Sequence, residues 1–99
     1  MKHAVSENST VFAAQDQVSS DLGGEVAILN LRAGMYYGLD EVGARVWQLL
    51  QEPTLVGDIQ ATIAREYEVE TARARDDVLA LLRQMADEGL IEVEDEPSS

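Results

Sequence analysis

The stretch from Glu25 to Trp47, EVAILNLRAGMYYGLDEVGARVW, constrains this chain more than any other. It reads as strand, tight connection, strand, and then a helix that starts at once. Glu25–Leu31 is an apolar, β-branched run, and Met35–Leu39 is a second, rich in aromatic and apolar side chains. Between them, Gly34 can take the positive φ that a hairpin connection demands. Asp40 stands where a helix N-cap should, with Glu41 in the first turn.

Around this centre the rest of the chain falls into order. Val18–Leu22 is a further extended run, and Gly23-Gly24 separates it from the next strand as in a hairpin. The three runs predict an antiparallel meander whose spatial order follows its sequence order, so that Met35–Leu39 is an edge. A helix is predicted over Glu41–Gln51, with Val42, Val46, Leu49 and Leu50 at helical spacing and Trp47 widening the face. Gly43 inside it costs about 1 kcal/mol relative to Ala and is expected where the helix packs closely on the sheet. Pro53 ends that helix. A second is predicted over Leu55–Tyr67 with Thr54 as cap, its face formed by Leu55, Ile59, Ile63 and Tyr67. A third runs from Thr71, taken as its cap, to Glu88, with Ala74, Val78, Leu81, Leu82 and Met85 as its stripe and Gly89 as stop signal. Leu90–Val93 alternates like a short strand. The expected fold class is α+β: a three-stranded antiparallel sheet followed by three helices, in a winged-helix-like arrangement.

The 99 residues allow one core. Residues 1–17 are expected to be a flexible tail in which Val11-Phe12-Ala13-Ala14 can contribute a short strand, 18–93 the domain, and 94–99 an acidic tail. No run has the length of a membrane-spanning helix, and no signal-peptide core follows Met1, so a cytoplasmic location is expected.

Seven basic residues face 19 acidic ones, a net charge of −12. Nucleic-acid binders draw most of their affinity from phosphate neutralisation, so a winged-helix transcription regulator is the weaker reading whatever the fold suggests. Cysteine is absent and His3 is the single histidine. This removes thiolate metal sites and thiol chemistry, and leaves a histidine base only in the tail. Asp76-Asp77 cannot share a metal or a proton, because adjacent helical residues point about 100° apart. The run Glu92-Glu94-Asp95-Glu96 lacks calcium-loop spacing. No catalytic residues, cofactor or metal are therefore predicted, and the chain is expected to bind.

Two surfaces suit binding. Tyr36-Tyr37-Gly38 lies on a predicted edge that carries none of the lysines or prolines that usually block unwanted strand pairing, so an extended peptide can add there. Alternatively, the tail or a dimer partner covers that edge. Alternation puts Tyr36 and Tyr37 on opposite faces, and either can look into a groove. On the third helix, a core-facing Val78, Leu82 and Met85 would turn Arg73, Asp77, Ala80, Leu81 and Gln84 to one flank. That flank suits a groove floor with polar walls, or is an ordinary solvated helix face.

The string GEVAILNLRAGMYYGLDEVGARVWQLL, then REYEVE, then ARARDDVLALLRQMADEGLI resembles the PqqD-like family of RiPP recognition elements over about Val18–Ile91. These domains bind the leader peptides of ribosomally made, post-translationally modified peptides. The resemblance implies that a leader adds as a strand to Met35, Tyr36, Tyr37, Gly38 and Leu39. It would lie against Arg73, Asp76, Asp77, Ala80, Leu81 and Gln84. YYGLDEVGARVW is closer to the discrete leader-recognition protein of lasso-peptide operons, which works with a leader peptidase. The alternative is a chaperone of pyrroloquinoline quinone synthesis that hands its peptide to a radical SAM enzyme. Arg73, Arg75 and Arg83 are the candidates for meeting acidic leader residues, and apolar anchors should dominate affinity. The protein should be a monomer or weak dimer.

Overall fold

The computed structural model describes residues 5–15, 17–21, 23, 25–31 and 34–94, with the backbone alone of Asp21. His3, Leu22, Gly24, Arg32, Ala33 and the acidic residues after Glu94 lie outside the described residues. The elements are β1 (Thr10–Ala13), β2 (Gln17–Asp21), β3 (Val26–Asn30), β4 (Met35–Leu39), α1 (Glu41–Leu49), β5 (Thr54–Leu55), α2 (Val56–Glu66), α3 (Thr71–Asp87) and β6 (Ile91–Glu94).

The expected meander is present. β2, β3 and β4 form an antiparallel sheet in that order, with Ile28 opposite Tyr37 and Leu29 opposite Tyr36. β4 is an edge. A second sheet has the order β5-β1-β6, with Val11 opposite both Thr54 and Val93. This sheet was not expected, and it revises the N-terminal boundary. Val11 is 0% exposed and Val5 2%, so much of the segment set apart as a tail belongs to the core. Glu94, assigned to the acidic tail, ends β6.

The N-terminal segment also caps a helix. The amide of Val56 donates to the Ser9 carbonyl (3.0 Å) and that of Gly57 to the Glu7 carbonyl (3.2 Å). Backbone carbonyls thus satisfy donors that a helix start leaves open. Thr54 is not the cap of α2: Leu55 holds that position, and the Thr54 hydroxyl donates instead to the Leu49 and Glu52 carbonyls, both at 2.8 Å. Leu55 is exposed, and Val56 takes its expected place in the core. Likewise Glu70, not Thr71, caps α3, and its side chain makes no capping bond.

Other local signals hold. The Asp40 carboxylate accepts from the Gly43 amide at 2.9 Å and starts α1. Gly89 adopts φ +75°; its amide donates to the Ala86 carbonyl, and the Leu90 amide to the Met85 carbonyl. This paired closure of α3 requires a left-handed residue, which glycine supplies. The chain then turns directly into β6. One core results, from Ile28 of β3, Val46 and Leu50 around α1, Ile59 and Ile63 of α2, and Val78, Leu82 and Met85 of α3.

Candidate peptide-binding groove

Two layers meet beside β4. Its alternation is fixed by its neighbour: Tyr37 and Leu39 stand opposite Ile28 and Val26, which are buried, and both pack against the core. Tyr36 stands opposite the exposed Leu29 and is itself 67% exposed. Tyr37 therefore looks inward, and Tyr36 outward.

The inward side opens at the junction of β4, α1 and α3. An open groove of about 510 Å³ is lined by Gly38, Leu39, Asp40, Val42, Gly43, Asp77 and Leu81. Next to it lies a smaller pocket of about 100 Å³, lined by Val42, Ile63, Val69, Ala74, Asp77, Val78 and Leu81. Ala74, Asp77, Val78 and Leu81 recur at the i, i+3, i+4, i+7 spacing of one helix face, which is why a single helix lines both. Val42, Asp77 and Leu81 belong to both cavities. The Leu39 wall is set by Gly43: a Cβ there would come within 3.2 Å of Leu39 Cβ and 3.3 Å of the capping Asp40 oxygen. A side chain at residue 43 would therefore push Leu39 or the Asp40 carboxylate aside by a few tenths of an ångström.

The structure brings Gly38, Leu39, Asp77 and Leu81 of the predicted set together in the groove. Met35 and Tyr36 are exposed on the same edge strand. Arg73, Asp76, Ala80 and Gln84 are exposed on α3 and line neither cavity. Sequence reasoning missed Val42, Ile63, Val69 and Ala74 as pocket walls, having counted Val42, Ile63 and Ala74 only as core positions. The apolar face of α1 is split between the core and the groove, and periodicity does not distinguish the two.

Four of the arginines among the described residues are committed. Arg73 pairs with Asp77 at 3.5 Å, one helical turn away. Arg75 pairs with Glu7, and Arg83 donates to the Val5 carbonyl at 3.4 Å. The last two cations, named as candidates for meeting acidic leader residues, thus hold the N-terminal segment. Arg45 grips Glu66 with two bonds of 2.8 Å, tying α1 to α2. That hydrogen bond lowers the Glu66 carboxyl below its ordinary value. No group of three or more metal-ligating side chains occurs among the described residues, and none of their helices is long and apolar enough to cross a membrane.

The sequence profile of the PqqD family, described as coenzyme PQQ synthesis protein D, matches residues 25–91, and the chain belongs to that family. Among solved structures, it is similar to TbiB1 in complex with the TbiA(beta) leader peptide, at 36% identity and a TM-score of 0.77. That match covers 82% of this chain and 94% of the other. A lasso peptide synthetase B1 complexed with its leader peptide has the same fold, at 23% identity and a TM-score of 0.73, over 83% of this chain and 96% of the other. No curated protein matches the chain.

Proposed function

We propose that this protein is the discrete leader-recognition component of a lasso-peptide pathway. It binds the leader segment of a precursor peptide as an added strand on β4 and presents it, in the cytoplasm, to a leader peptidase. The observation that carries this reading is the meeting of an open, ungated strand edge with an apolar groove on α3. Backbone pairing along Met35–Leu39 supplies direction and register, while side chains entering the cavities walled by Leu39, Val42 and Leu81 supply choice. Arg73, Asp76 and Gln84, with the small Ala80 between them, would form the border of that site. The likeness to TbiB1, whose structure holds a leader peptide, supports leader binding, and the shared fold with a lasso peptide synthetase B1 favours the lasso assignment over a chaperone of quinone synthesis.

No chemistry is required of the protein itself. Tethering the precursor beside its enzyme makes their encounter effectively intramolecular, which raises the rate through concentration alone. With Arg75 and Arg83 occupied elsewhere, apolar anchors dominate the affinity.

The test is titration of a fluorescently labelled leader peptide from the precursor encoded beside this gene. Saturable binding is expected, and Leu81→Glu should weaken it by about tenfold or more, about 1.4 kcal/mol. Leu81 is only partly buried, at the margin of the core, so the variant should still fold. Absence of binding by the wild type, or an unchanged affinity in the folded variant, would overturn the assignment.

A further inference from the structure

The face of the β2–β3–β4 sheet that points away from the core has no partner among the described residues. Val18, Leu29 and Tyr36 stand directly opposite one another across all three strands. They are 53%, 36% and 67% exposed, and make one continuous apolar row. The next row on the same face is Ser20, the buried Ala27 (6% exposed) and Gly38, a low floor beside the Tyr36 ring. There a cleft of about 400 Å³ opens, lined by Glu25, Val26, Ala27, Tyr36, Gly38, Leu39 and Asp40. Gly38 has an ordinary φ, and a Cβ there would touch nothing within 4 Å. Neither a turn nor crowding calls for glycine at this point. A strand glycine often marks a place where a ligand or another backbone comes close.

We infer that this outer face is the docking surface for the enzyme that processes the bound precursor, a protein offering an apolar patch with a basic border. The inference rests on the leader-recognition reading, and two consequences of that reading together with one observation select the occupant. A leader strand added to β4 pairs through the edge and lodges its inward side chains in the groove, so it leaves the outer face open. The added strand then prolongs the Val18–Leu29–Tyr36 row, and one enzyme surface can touch β4 and the leader together. The charged residues lining the cleft are Glu25 and Asp40, both acidic, and with a net charge of −12 a second copy of the chain is repelled where a basic partner is drawn in. A contiguous exposed apolar patch of this kind marks an interface.

Val18→Lys and Leu29→Lys, each checked for an unchanged thermal melt, separate the two contacts. Labelled leader peptide should bind both variants within about twofold of wild type. The purified leader peptidase of the same pathway, measured by calorimetry with the leader-bound protein, should lose affinity by about tenfold or more. Its wild-type affinity should fall as salt is raised, because the acidic cleft border meets a basic one. If Leu29→Lys fails to fold, Val18→Lys on the exposed edge strand carries the test alone. Peptidase binding unchanged in folded Val18→Lys, with leader binding intact, overturns the docking surface and leaves leader recognition standing. Loss of leader binding by the wild type overturns the reading beneath it. A wild-type dimer in sedimentation that Val18→Lys dissolves also overturns the inference, because the occupant is then a second copy.

Discussion

Tyr36 and Tyr37 are adjacent and chemically alike, yet they do different work. Tyr37 packs on the core beside Ile28, and Tyr36 stands in solvent beside Leu29. Alternation was legible in the sequence, but its phase was not. Only the register against β3 sets which tyrosine is buried, and that register depends on the core closing beneath Ile28. Backbone direction alternates too, so consecutive amides point to opposite sides of the strand. Proline placed at Tyr36 and at Tyr37 in turn must strike the outward amide once and the β3 ladder once. The variant whose amide pointed outward should melt near the wild type and lose most leader affinity, whereas its neighbour should lose stability. If both fold and both bind leader as the wild type does, strand addition on β4 is wrong. The same limit of local reading applies to Arg75 and Arg83. Their charge was plain, but their partners, Glu7 and Val5, lie more than 60 residues away in sequence.

At the level of elements, the helices were legible because each carries its own evidence: apolar spacing, Asp40 at one start and Gly89 at one end. β1 and β5 were not. β5 has only two residues, and β1 finds its partners about 40 and 80 positions along the chain, so no local pattern shows the sheet they form. The caps of α2 were hidden for the same reason, since they are carbonyls of Glu7 and Ser9 and not side chains. Deleting residues 1–8 exposes the core around Val5 and frees an α2 amide. Urea unfolding should then report a loss of about 2–4 kcal/mol. The Arg45–Glu66 clamp between α1 and α2 gives a pH signature. Because the folded state lowers the Glu66 pKa, its contribution is present above the ordinary carboxylate value of about 4.3 and fades as pH falls through the folded value. Melts of wild type and Glu66→Gln should differ at about pH 6 and converge toward about pH 3. The clamp is partly solvent-exposed, so the difference is small. Parallel pH curves would show that the pair contributes nothing.

Over the whole molecule, charge decides between readings that the fold alone leaves level. Helices followed by a short strand suit a DNA-binding winged helix as well as a peptide binder, but −12 on 99 residues does not suit a phosphate backbone. Gel-shift assays with duplex DNA at low salt should show no retardation with protein in excess; a salt-sensitive shift would reinstate the regulator. The candidate groove was half legible at this scale. Its two supporting elements could be picked out from an unguarded edge and a helix flank, but its walls come from positions whose apolar character had already been assigned to the core.

The split into two sheets has one more consequence. β1 lies between β5 and β6, and Thr10 pairs with Glu94, so the two flanks of the fold run side by side in the sheet that does not contain β4. Strain on the seam between β1 and β6 is therefore borne by a sheet that shares no strand with the edge where a peptide would pair. In mechanical terms, the bearing and the working edge are on different sheets.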